Sequence, residues 1–181
     1  MKNSLLLCAA IGCAVIARAE VFQFDLWTGG VSGLSGLNES TPNDSTASGG
    51  EVGDGLYYDD VLNLLTVNVA YGVFGFEPLT GSYVGSHLHE GLPGVAGPIA
   101  VNLDPLHNAF GQDAGFYTGS VSLSEAQESS LLSGGLYMNI HSTTFGAGEI
   151  RGQLVVIPEP GTMALMTLGA GVLLWFRRRT G

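Results

Sequence analysis

His87 and His89 stand two residues apart in the run from Tyr83 to His89. In an extended strand, residues two apart project from the same face, so the two imidazoles share one side. His141, beside Asn139 in a later run, supplies a third. Neutral imidazoles bind zinc and copper well, so the three residues are a candidate metal site for Zn or Cu. The same residues also suit a structural role, with the rings hydrogen-bonded across the sheets to backbone or to one another. The sequence calls for no other cofactor. His107 sits in what reads as an unrelated loop. Arg151 is the only base between residues 20 and 157, among fifteen acids. Its planar fork can hold a carboxylate or carbonyls bidentately. Glu149, two residues away, is its nearest carboxylate, so the pair is expected to act as a structural clamp. Glu90 and the loop Gly91 to Gly97 form a candidate binding edge.

Catalytic constellations are missing. No Gly-x-Ser-x-Gly elbow precedes a helix, and no phosphate loop is present. Fifteen acids offer too many pairs for two catalytic carboxylates to be singled out. The expectation is a domain that is not an enzyme. The excess of acids over a single base also argues against nucleic acid or anionic lipid as a partner, since both require basic surface.

The elements that must position these residues read as strands. Val21 to Trp27 alternates apolar and polar, and so does most of Leu64 to Tyr71. Tyr83 to His89, Pro98 to Leu103, Phe116 to Leu123, Leu136 to His141 and Ile150 to Ile157 are further short runs, separated by Gly, Pro, Asn and Asp. Ser124 to Leu132 has an N-cap serine, early acids and a following Gly134-Gly135, which predicts a short helix. Residues 32–55, rich in Ser, Gly, Thr and Asn, are expected to form a long loop or loose edge. The fold class is all-β, an antiparallel Greek-key-type β-sandwich with one short helix, plus a C-terminal transmembrane helix.

The two ends say where the domain goes. Met1 to Ser4 is a short basic segment, Leu5 to Ile16 is apolar, and Ala17-Arg18-Ala19 is an A-x-A cleavage site. Residues 1–19 therefore read as a signal peptide, cut between Ala19 and Glu20; lipidation at Cys13 is the rival reading. Cys8 and Cys13 both lie in this segment, so cleavage at Glu20 leaves a mature chain without a thiol. At the other end stands IPEPGTMALMTLGAGVLLWFRRRTG. Thr162 to Phe176 would make a helix about 22 Å long at ~1.5 Å per residue, short against a bilayer core of roughly 30 Å. Trp175 and Arg177, Arg178 and Arg179 can reach the interface, and the arginines keep the body of the protein outside the cytoplasm. The organisation is thus a signal peptide (1–19), a β-sandwich domain (20–157) and a sorting and anchor segment (158–181).

Pro158-Glu159-Pro160, an apolar run, an arginine cluster and the chain end, in that order, resemble the PEP-CTERM class of bacterial surface proteins. The resemblance implies recognition by an exosortase-type processing enzyme, a transient anchor in the inner membrane, and release toward a cell surface or extracellular matrix rich in exopolysaccharide. A second resemblance covers roughly residues 22–156. The blocks HLHEGLPGVAGPIAVNL (87–103) and LSGGLYMNIHSTTFGAGEIRGQL (132–154) are similar to the CHRD domain, named after chordin. It implies a fold but no catalytic role. The His-x-His strand with a later histidine also distantly resembles the copper–zinc superoxide dismutase sandwich. The departures are a missing disulfide cysteine and a missing histidine-rich zinc loop.

Overall fold

The structure, a computed structural model, describes residues 20–158. Alternation fixes its first strand, β1 (Val21–Thr28), where Phe24 and Leu26 point into the core and Gln23 and Asp25 point out. The same alternation sets β5 (Leu64–Tyr71), which buries Leu65, Val67, Val69 and Tyr71. The other strands are β2 (Val31–Ser32), β3 (Leu34–Ser35), β4 (Ser48–Asp59), β6 (Tyr83–Glu90), β7 (Ile99–Asn102), β8 (His107–Phe110), β9 (Ala114–Ser122), β10 (Leu136–Ser142) and β11 (Ile150–Val156). The one α-helix among the described residues, α1 (Glu125–Leu132), starts where a capping box closes. Ser124 Oγ accepts from the Gln127 amide, and the Gln127 side chain reaches back to the Ser124 amide.

All pairings are antiparallel, in the order β7-β6-β10-β11-β1-β4-β5-β9-β8, with β2 on β1 and β3 on β11 and β4. The sheet curls until its ends meet. Tyr83 in β6 stacks on His107 in β8, with ring centroids 4.0 Å apart and planes 19° apart. A 3-10 turn at Asp104–Leu106 carries the chain from β7 to β8. Leu88, Met138, Ile140 and Leu154 from one half of the sheet thereby share a single core with Leu56, Leu65, Val67 and Tyr117 from the other. Burying such side chains stabilises the fold by about 1.5–3 kcal/mol each, relative to exposure.

Two expectations need correction. Residues 32–55 are a loop only in part: 36–47 form a 3-10 turn and irregular chain, but β3 and the first eight residues of β4, a twelve-residue strand between β1 and β5, also lie in this range. Of the glycines that suggested a loop, Gly49 has close neighbours, whereas Gly53 and Gly55 hold positive φ at the irregularity in β4. A Cβ on Gly49 would lie 2.7 Å from the Ala70 carbonyl oxygen. His107 is likewise in a strand, β8, rather than a loop. Among the described residues no helix is long and apolar enough to cross a membrane. The expected signal peptide and transmembrane helix lie outside the described residues.

Candidate metal centre in a buried polar layer

Strands β10 and β11 and the middle of β6 are covered on both faces. Leu88, Leu136, Met138, Ile140, Ile150 and Leu154 face the apolar core. The opposite face carries His87 and His89 from β6, Tyr137, Asn139 and His141 from β10, and Arg151 and Gln153 from β11. Register places Tyr137 between His89 and Gln153, and Asn139 between His87 and Arg151. His89, Asn139, Arg151 and Gln153 are buried there. The outer face is therefore a second interior, and its polar groups must find partners.

Within it the three histidines converge. One ligand nitrogen from each of His87, His89 and His141 lies within 4.8 Å of the other two. His87 Nδ1 is 3.3 Å from His141 Nε2. The far nitrogens are fixed by backbone: His89 Nδ1 donates to the Gly97 carbonyl at 2.9 Å, and His141 Nδ1 donates to the Gly146 carbonyl at 3.1 Å. A neutral imidazole that donates from Nδ1 has a lone pair at Nε2, so both Nε2 atoms are acceptors. His89 Nε2 is buried and has no partner. Burial pushes the pKa of each of the three below the ordinary histidine value, and repulsion from a neighbouring histidine adds to this at all three. The neutral, ligating form thus prevails at neutral pH.

The same layer holds the loop from Gly91 to Gly97. Arg151 donates to the Val95 carbonyl at 3.0 Å, and to the Leu92 carbonyl at 2.9 Å. Gln153 Nε2 donates to the carbonyls of Gly91 and Gly134, and the Gly97 amide donates to Tyr137 Oη. A Cβ on Gly97 would collide with the Glu90 carbonyl, so this position admits only glycine. The expected Arg151–Glu149 pair does not form. Glu149 Oε1 instead accepts from Ser45 Oγ and the Thr80 amide, both at 2.6 Å. It precedes β11, so the two-residue spacing that would align it with Arg151 does not apply. Arg151 takes backbone carbonyls, and the carboxylate whose charge it feels is Glu39. Burial raises the Glu39 pKa to about 7, against the opposing pull of Arg151 and a hydrogen bond from Asn139.

Glu39, Tyr137, Asn139 and Gln153 were not singled out in the sequence. One signal was available: Leu136 to Ser142 alternates apolar Leu, Met and Ile with Tyr, Asn and His, as a strand covered on both sides by different chemistry would. Glu90, from the candidate edge, is exposed and accepts from Ser130 Oγ at 2.6 Å.

A second polar cluster lies where the sheet ends meet. Tyr71 Oη and His107 Nε2 are 2.7 Å apart, and Tyr83 Oη donates to Asp104 Oδ1 at 2.6 Å. Asp104 Oδ1 also accepts from the Ser86 amide at 2.9 Å. Glu20, the expected first mature residue, is described and exposed, and its nitrogen donates to Asp60 Oδ1 at 2.9 Å. Pro158 is exposed at the end of the described residues. Ala19, Glu159, Pro160, Arg177, Arg178 and Arg179 lie outside the described residues.

A curled antiparallel sheet whose last strand leads directly into a Pro-Glu-Pro segment defines a β-domain joined to a C-terminal signal. Residues 31–154 match the CHRD domain, and residues 156–179 match the PEP-CTERM protein-sorting motif. The chain belongs to the CHRD domain family. Its PEP-CTERM motif implies export, processing by exosortase and sorting to the cell surface. No curated protein and no solved structure matches the chain.

Proposed function

We propose that this is an exported bacterial protein of the cell surface or extracellular matrix, whose domain works there by binding and not by catalysis. The sorting motif carries this reading. Its match begins at residue 156, the last residue of β11, so the processing segment is appended directly to the folded sheet. In this reading residues 1–19 are removed at Ala19–Glu20. The new α-ammonium of Glu20 then faces Asp60, where the structure already places a hydrogen bond. The C-terminal apolar run holds the chain transiently in the inner membrane until exosortase acts. The curled sheet is taken as a two-layer Greek-key-type sandwich. Exopolysaccharide or other surface proteins are the partners this setting offers. The binding role is assigned to the polar layer and the loops that cover it.

Replacement of Pro158-Glu159-Pro160 by three alanines, followed by cell fractionation, tests the sorting. The full-length protein should accumulate in the inner membrane. Normal processing and release of that variant would remove the exosortase reading and leave an ordinary anchor.

A further inference from the structure

We propose that His87, His89 and His141 bind one late transition-metal cation, zinc or copper, and that the metal locks together the two loops covering the site. The proposal rests on reading the domain as a binding module, and it names what is bound.

Counting protons decides between a metal and hydrogen bonding alone. Three ring nitrogens point inward. Two of them, His89 Nε2 and His141 Nε2, are lone pairs, because their partner nitrogens donate to Gly97 and Gly146. Only His87 Nδ1 can offer an N–H, and it faces His141. One donor cannot serve two acceptors, and His89 Nε2 is left buried without a partner. Such an orphan costs about 1–3 kcal/mol. A cation satisfies all three lone pairs at once. On binding, the His87 proton leaves Nδ1 and is taken up at Nε2 through solvent, so the ring stays neutral and no net proton is lost.

Geometry agrees. With metal–nitrogen bonds of about 2.0–2.1 Å, the edge of a tetrahedral site is roughly 3.3–3.4 Å. His87 Nδ1 and His141 Nε2 already stand 3.3 Å apart. His89, whose ligand nitrogen lies within 4.8 Å of the other two, needs a shift of at most about 1.5 Å to complete the same distances. The far-side bonds from Nδ1 to backbone carbonyls are those that orient imidazole ligands and raise their basicity. An all-imidazole set suits zinc and copper and disfavours magnesium and calcium, which require oxygen. Between the two, nitrogen donors favour Cu(II) over Zn(II).

The far-side bonds also say what loading does. His89 holds Gly97, the end of the 91–97 loop, and His141 holds Gly146 in the 143–148 turn. A metal joining the two rings cross-braces both segments.

The test uses the full-length protein in detergent, stripped with chelator and titrated with zinc and, separately, copper. Elemental analysis should give one ion per chain, with copper displacing zinc. Calcium and magnesium at millimolar excess should displace neither. His87→Ala, His89→Ala and His141→Ala should each weaken binding at least 100-fold, while His107→Ala, outside the cluster, should bind as wild type. Hydrogen exchange should slow on loading at residues 92–97 and 143–148 of the wild type. Because an alanine variant could unfold, each is first shown to keep the wild-type circular dichroism. A folded wild type that takes no stoichiometric metal, or binding that survives in the three variants, overturns the proposal and leaves the sorting reading untouched. Failure of the Pro158–Pro160 experiment does the converse.

Discussion

The His89 imidazole stacks on the Tyr137 ring, with centroids 5.1 Å apart and planes 8° apart. The guanidinium of Arg151 sits 3.4 Å from the centroid of that same ring. The residue that helps hold the 91–97 loop is therefore packed on the residue that flanks His89, a candidate metal ligand. Buried cation–π contacts of this kind contribute on the order of 2 kcal/mol.

Arg151→Lys should be costly despite the retained charge. A lysine cannot reach the Leu92 and Val95 carbonyls together, nor lie flat on Tyr137. The expected loss is roughly 2–4 kcal/mol, from orphaned carbonyls and lost stacking. Urea unfolding should show a lower midpoint with an unchanged slope. A midpoint equal to wild type would show that the loop does not depend on the fork.

Glu39 makes stability depend on pH. Its pKa rises from 4.5 to about 7 on folding, with burial the main cause. A raised folded pKa means that folding takes up a proton, so stability is greatest below about pH 4.5 and falls as the pH rises toward 7. The fall is of order 3–4 kcal/mol, at about 1.4 kcal/mol per pKa unit. Glu39→Gln should flatten this slope: near-equal to wild type at pH 4.5 and more stable at pH 8 by thermal melts. A variant with the wild-type slope would place the titration elsewhere.

His107→Phe separates the second polar cluster from the first. Phenylalanine keeps the stack on Tyr83 but removes the partner of Tyr71 Oη. The expected cost is about 1–3 kcal/mol for a part-buried phenol left unpaired. Metal capacity should stay at the wild-type value. Loss of metal binding with retained circular dichroism would mean that the two clusters are coupled.

The strands that alternate, β1 and β5, were legible because each has one apolar face against the core. The convergence of the histidines was legible because His-x-His fixes a face and β10 pairs with β6. Strand β4 was not. Its Gly49-Gly50 and Gly53-Asp54-Gly55 read as loop, but the approach of Ala70 to Gly49 exists only in three dimensions, and Gly53 and Gly55 supply the positive φ of a bulge that does not end the strand. The polar layer was illegible for a related reason. Glu39, Asn139 and Gln153 look like surface residues until loops from distant parts of the chain cover them. Arg151 was read as needing a carboxylate because local spacing offered Glu149, whereas backbone carbonyls some 56 and 59 residues away take its fork.

The last strand of the domain is not at an edge. β11 lies between β10 and β1, and Val156 pairs with Phe24 from the opposite end of the domain's sequence. Pairings so distant along the chain form slowly, because loop closure opposes them until both partners are present. Until Ile150–Val156 has been delivered, β10 and β1 have a gap between them and the core lacks Ile150 and Leu154. Closure of the sheet therefore waits for its C-terminal strand: the domain is complete only when Ile150–Val156, the segment that runs into the sorting motif, is in place between β10 and β1.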